Sequence, residues 1–193
     1  DRCYSPRSPE SSCDWVSTVA HNTPPATDAA VHAEQIRTLY SQSLAIIAVN
    51  PLNAAIIAVV IWPWADHGLL TAWDAAMAGV AVLRAGLRHR YLSAQRSTAE
   101  HVVWARRLVW AALATGLLWG VGGAVFYDPR ALVSQLLLVF VIGGMVAGAS
   151  GTMALHLPAF LAFTASAILP VAARLLAEGD RPHLAMGVLA IVY

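Results

Sequence analysis

ALVSQLLLVFVIGGMVAGASGTMALHLPAFLAFTASAILPVAA, residues 131 to 173, contains no charged side chain. A helix needs about 20 apolar residues to cross a hydrocarbon core of about 30 Å, so this run is long enough for two crossings. Thr152 to Pro158, which holds His156 and Pro158, is the natural place to divide it. Two more uncharged runs, between Arg37 and Asp66 and from Leu108 to Tyr127, read the same way. Over all 193 residues 58% are hydrophobic and 12% charged, with a mean hydropathy of +0.61. Soluble domains carry about 25% charged residues, so the composition argues against a water-soluble globule. The fold class expected is all-α, a polytopic transmembrane helix bundle.

Working outward, the expected spans are residues 44–63, 69–87, 108–127, 132–151 and 159–176, with an incomplete sixth at 184–193. That last apolar stretch is about half the length of a crossing, so the polypeptide is expected to continue past Tyr193. Residues 1–27 lack any apolar period, whereas from Asp28 onward Val31, Ile36, Leu39 and Tyr40 fall near one side of a helix. Residues 1–32 as a whole are expected to be a polar, disordered tail ahead of a membrane domain over 33–193. Asp28 is a candidate helix N-cap. Residues 33–43 read as an amphipathic lead-in or as a plain extension of the first span. Pro51 removes a backbone donor, so a kink is expected near Asn50, with Asn50 and Asn53 serving the freed backbone. Cys3 and Cys13 sit in the tail without a CxxC or Cys/His cluster and read as incidental thiols.

Every basic residue is Arg, and Arg84, Arg88, Arg90, Arg96, Arg106 and Arg107 lie between or at the ends of spans two and three. Basic loops are retained on the cytoplasmic side, which places this loop and the N-terminal tail inside and the turns at Asp66, Asp128 and Asp180 outside. Aromatic residues prefer the interface. Trp62, Trp64, Trp73 and Tyr127 fall at the expected outer boundary, and Tyr91, Trp104 and Trp110 at the inner one. The lipid bilayer is the first partner expected. Clustered basic blocks interleaved with aromatics are missing, so no nucleic-acid partner is expected.

Gly116 and Gly120, and Gly144 and Gly148, have the four-residue spacing that lets membrane helices approach closely, and read as a packing seam between spans three and four. Asp74 is the one acidic residue inside an expected span. Its shallow depth favours an interfacial role, with a ligand or proton site as the alternative. Asn50, Asn53 and Trp119 complete the candidate ligand-binding set, although packing is the simpler role for Trp119. His101 and His156 both map to the inner side, but nothing in their spacing requires a metal or haem, so no cofactor or metal is expected. No triad, HExxH or paired carboxylates occur, so no catalytic residue is assigned and this segment is not expected to be an enzyme.

AEQIRTLY at 33–40, the Asn-containing span ending Ile61, Trp62 and Pro63, the Arg-rich loop, GLLWGVGG at 116–123, GGMVAGASGT at 143–152 and LPAFLAF at 157–163 together give a recognisable pattern. It resembles the N-terminal membrane region of bacterial diguanylate cyclases with a GGDEF output domain, and similar regions precede sensor histidine kinases. The resemblance covers 33 to the end and rests on pattern and order, not on catalytic motifs. It implies a sensory input module in the bacterial inner membrane, working as a homodimer, with a cytoplasmic output domain in the same polypeptide. The alternatives are an accessory subunit of a larger membrane complex and, behind it, a transporter fragment.

Overall fold

The computed structural model describes residues 25–94, 98–128 and 131–192. Among these residues six helices follow one another: α1 (Pro25–Ile61), α2 (His67–Leu92), α3 (Thr98–Val125), α4 (Leu132–Met153), α5 (Leu157–Glu178) and α6 (Arg181–Val192). Among the described residues there is no strand. The first five helices are long and apolar enough to cross a membrane, whereas α6, with 12 residues, is not.

Their outer surface is apolar. Phe140 is 82% exposed, Val59 75% and Val82 72%. A monomer in water rarely presents contiguous apolar area on that scale, whereas lipid is the solvent that suits it.

Several boundaries move from expectation. The first helix begins at Pro25, so residues 25–32, expected in the tail, are helical and Asp28 lies inside the first turn instead of capping it. Proline suits a first helical position and the alanine-rich sequence after it propagates the helix. Residues 33–43 are thus a continuous extension of the first span, and Pro51 sits inside that same helix. The arginine-rich stretch between spans two and three is helical on both sides of its turn: α2 runs on to Leu92 and α3 starts at Thr98. Cys3, Cys13, Arg96, Pro129 and Arg130 lie outside the described residues.

The helix ends have local causes. Asp66 Oδ1 accepts from the Leu69 N–H at 2.8 Å and starts α2. The Ala131 N–H donates to the Asp128 carbonyl at 3.2 Å and closes the turn before α4. His156 Nδ1 accepts from the Ala159 N–H at 3.2 Å, which gives that histidine a capping role at α5. Gly179 ends α5 at φ 76°, a left-handed conformation that glycine adopts without strain.

Packing corrects the expected glycine seam. A Cβ on Gly116 would strike Ser166 Oγ and the Phe163 carbonyl, and one on Gly120 would strike the Ser166 carbonyl and Pro170, all on α5. Gly144 and Gly148 on α4 have nothing within 4 Å of where a Cβ would stand. The seam therefore joins spans three and five, because both of its close-approach glycines meet α5 backbone, and α4 rests on the pair through Ile142 against Gly123. The α3–α5 pair is the most closely packed in the bundle and α4 the least packed of the five long helices.

The aromatic belts are also partly inside. Trp62, Trp64 and Trp110 are exposed, but Trp73, Tyr91, Trp104 and Tyr127 are buried. Gly122 leaves the space that the Trp73 indole fills, and its Nε1–H donates to the Leu118 carbonyl at 2.8 Å. At the end of the bundle that carries the α2–α3 loop, Tyr40 stacks on Tyr91 with centroids 4.3 Å apart. The Tyr40 hydroxyl donates to the Trp104 carbonyl at 3.2 Å. Burial, then the neighbouring Tyr91, pushes the Tyr40 hydroxyl up to about 12, which keeps it a donor at any physiological pH.

Candidate functional site

The buried residues of α2 are Leu70, Trp73, Met77, Arg84 and Tyr91, a heptad stripe that faces the other helices. Arg84 occupies a core position on that stripe and is only 6% exposed. Expectation put it at the rim with the loop arginines. The correction follows from helix direction. Side chains tilt toward the N-terminus of their helix, and α2 starts at the Asp66 end, so Arg84 leans away from the nearby arginine-rich end.

That lean can be read from the α2–α3 pairing. Trp73 lies level with Leu118 and Gly122, and Tyr91 with His101 and Trp104. Interpolated between those pairs, Arg84 lies opposite residues near Trp110, and its Nη1 donates at 3.1 Å to Oγ1 of Thr115, farther along α3 toward the middle of the bundle. An arginine near a helix end ordinarily snorkels to the interface; this one reaches the opposite way. Thr115 is held ready for it, because its hydroxyl donates to the Ala111 carbonyl at 2.8 Å and leaves lone pairs for the guanidinium.

Beside Arg84 a cavity of about 410 Å³ opens between α1 and α4, with Asn50, Asn53, Met145, Gly148 and Phe163 among its walls. The structure thus brings Asn50, Asn53, Gly144 and Gly148 to one place, although the two glycines were expected to pack a helix there. Asn50 is held at both ends of its amide: Oδ1 accepts from Trp119 Nε1 at 2.7 Å and one Nδ2–H donates to the Ile46 carbonyl at 2.7 Å. That carbonyl neighbours the Ile47 carbonyl that Pro51 leaves free, so Asn50 serves the backbone one residue from the expected position. Asn53 Nδ2 meets Met145 Sδ at 3.4 Å, a weak bond that spans α1 and α4.

Trp119 packs, as the simpler reading had it: it is 1% exposed and sits edge-on to Trp73 at 5.7 Å. Asp74 is half-buried and stands outside the cavity walls. Its carboxylate makes no hydrogen bond or ion pair among the described residues. His101 Nδ1 lies 3.1 Å from the Tyr91 hydroxyl, while His156 caps the head of α5 through Nδ1.

Trp119→Phe is expected to lower stability by about 1–2 kcal/mol, since it strips the buried Asn50 Oδ1 of its donor while keeping most of the ring volume. Thermal unfolding of the detergent-solubilised protein measures it, and an unchanged midpoint would show that the Asn50–Trp119 bond contributes nothing.

Fold and site together define a helical bundle of membrane-protein character with a cavity beside a buried arginine. The chain matches no protein family, no curated protein and no solved structure.

Proposed function

We propose that the chain is the membrane-embedded sensory module of a bacterial signalling protein, acting as a homodimer in the inner membrane and driving a diguanylate cyclase in the same polypeptide. The observation that supports this reading best is a contrast in packing. Gly116 and Gly120 lock α3 to α5, while α4 meets α1 across a cavity with the weak Asn53–Met145 contact between them. A ligand that binds one spacing of α1 and α4 more tightly than another shifts their populations, and a fixed α3–α5 pair gives that shift something to move against. Turning a 1:99 equilibrium into 99:1 requires about 5.5 kcal/mol of differential binding, a demand that a buried charge interaction can meet.

The test has two parts. Read past Tyr193, the gene is expected to continue in frame into a cytoplasmic signalling domain. In the full-length protein with Cys3 and Cys13 changed to serine, a bridge between cysteines introduced by Asn53→Cys and Met145→Cys is expected to change cyclic di-GMP output severalfold, and reduction to restore it. Output indifferent to the bridge, or no signalling domain after Tyr193, would overturn the reading.

A further inference from the structure

Arg84 carries five N–H donors and the structure gives it one acceptor, Thr115 Oγ1. Among the described residues no carboxylate forms an ion pair with it. A charge held at membrane depth normally faces a partner or a functional cavity. Arg84 lines the cavity between α1 and α4. We infer that this cavity binds a single-chain amphiphile with a carboxylate head, which arrives sideways from the bilayer and is held at its head by Arg84.

Each part of that ligand follows from a feature of the walls. The planar guanidinium fork matches a carboxylate through two parallel hydrogen bonds, and one cation calls for one negative charge. Asn53, spent only on the weak Met145 Sδ contact, is the second polar group at hand. The Thr152 hydroxyl donates back to the Gly148 carbonyl at 3.0 Å, and the Asn50 amide is held by Trp119 and Ile46 with one N–H to spare, so the rest of the wall is largely apolar.

Shape and access agree with a chain-like tail. The walls extend along α4 from Phe140 to Met153, roughly 20 Å of helix, and the volume falls within the usual range of small-molecule sites. The mouth is bordered by Val49, Phe140, Gly144 and Gly148, all exposed on the apolar surface that faces lipid. Two voids of about 10 Å³ each also adjoin Arg84 but hold no more than a water, which leaves the larger cavity for the ligand.

The inference names the ligand class for the sensory reading and rests on that reading only for what binding does. Binding is measured on the chain itself in phosphatidylcholine nanodiscs by tryptophan fluorescence, with dodecanoate, dodecanol and acetate as probes. Dodecanoate is expected to saturate and to bind at least about tenfold more tightly than dodecanol, with acetate silent. Arg84→Met should erase the preference for the acid. Gly148→Leu, at a site with nothing within 4 Å of the new Cβ, should fill the cavity and abolish binding while Arg84 stays in place. Equal affinity for acid and alcohol, saturable binding of acetate alone, or wild-type binding by both variants would each overturn the site. Dodecanoate binding that leaves cyclic di-GMP output unchanged in the full-length protein would instead keep the site and overturn the sensory reading.

Discussion

Arg84→Met is expected to make the unliganded protein more stable by about 1–3 kcal/mol, even though it removes a hydrogen bond from the centre of the bundle. A lone arginine deep in a membrane helix costs about 2.5–3.5 kcal/mol on insertion scales. Even a buried ion pair can often be replaced by apolar residues of similar volume with no loss or with a gain of about 1–4 kcal/mol, and an ion without a counter-charge has less to lose. Against this stands the single bond from Nη1 to Thr115 Oγ1, whose partner already donates to Ala111 and loses little when the arginine goes. At this chain length each kcal/mol moves a thermal midpoint by about 2–4 °C, so the increase is measurable in detergent. Thr115→Val should act in the opposite direction, because it leaves the buried guanidinium without its acceptor at a cost of about 1–3 kcal/mol. A lower midpoint for Arg84→Met would mean that the residue is a structural tie between α2 and α3, not a charge awaiting a partner.

The second large effect is a contrast between two glycines that the sequence treats alike. Gly120→Ala is expected to destabilise the bundle by about 1–3 kcal/mol, since overpacking a tight seam displaces whatever it meets. What it meets is the Ser166 carbonyl, the Pro170 ring with Cγ 2.8 Å away, and the Ala167 carbonyl at 3.0 Å, and backbone oxygens cannot give way unless α5 moves. Gly148→Ala meets nothing and should stay within about 0.5 kcal/mol of wild type or gain slightly from higher helix propensity. Detergent melting curves of the two variants side by side decide it. Equal losses would show that α4 packs through Gly148 after all.

The membrane character was legible because composition and run length act over the whole chain and leave few alternatives. Turns were legible where one residue type carries the geometry, as at Asp66 and Gly179. Partner choice was not. Gly116 and Gly120 announce a close approach but not to which helix, and a four-residue spacing on α4 looks the same whether it packs or lines an opening. Aromatic residues near a predicted boundary also read alike whether they turn outward, as Trp110 does, or inward, as Trp73 does into the room left by Gly122.

Arg84 could have been found. Leu70, Met77, Arg84 and Tyr91 follow one another at seven-residue intervals, with Trp73 between the first two, and that pattern assigns Arg84 to the core face. Counting arginines per loop masked it, since the topology rule uses position along the chain and ignores the side of the helix. The role of α4 as a loosely held wall lay beyond sequence, because it depends on what α1 and α5 leave uncovered.

The claim on which all of this depends is that the long helices thread a bilayer with the arginine-rich α2–α3 connection on the cytoplasmic side. Its most direct test is a single cysteine at the exposed Ala94, introduced with Cys3 and Cys13 changed to serine and probed with a membrane-impermeant maleimide. Labelling is predicted only on inside-out vesicles and not on intact cells. Labelling of intact cells, or recovery of the protein in the soluble fraction, would contradict the account.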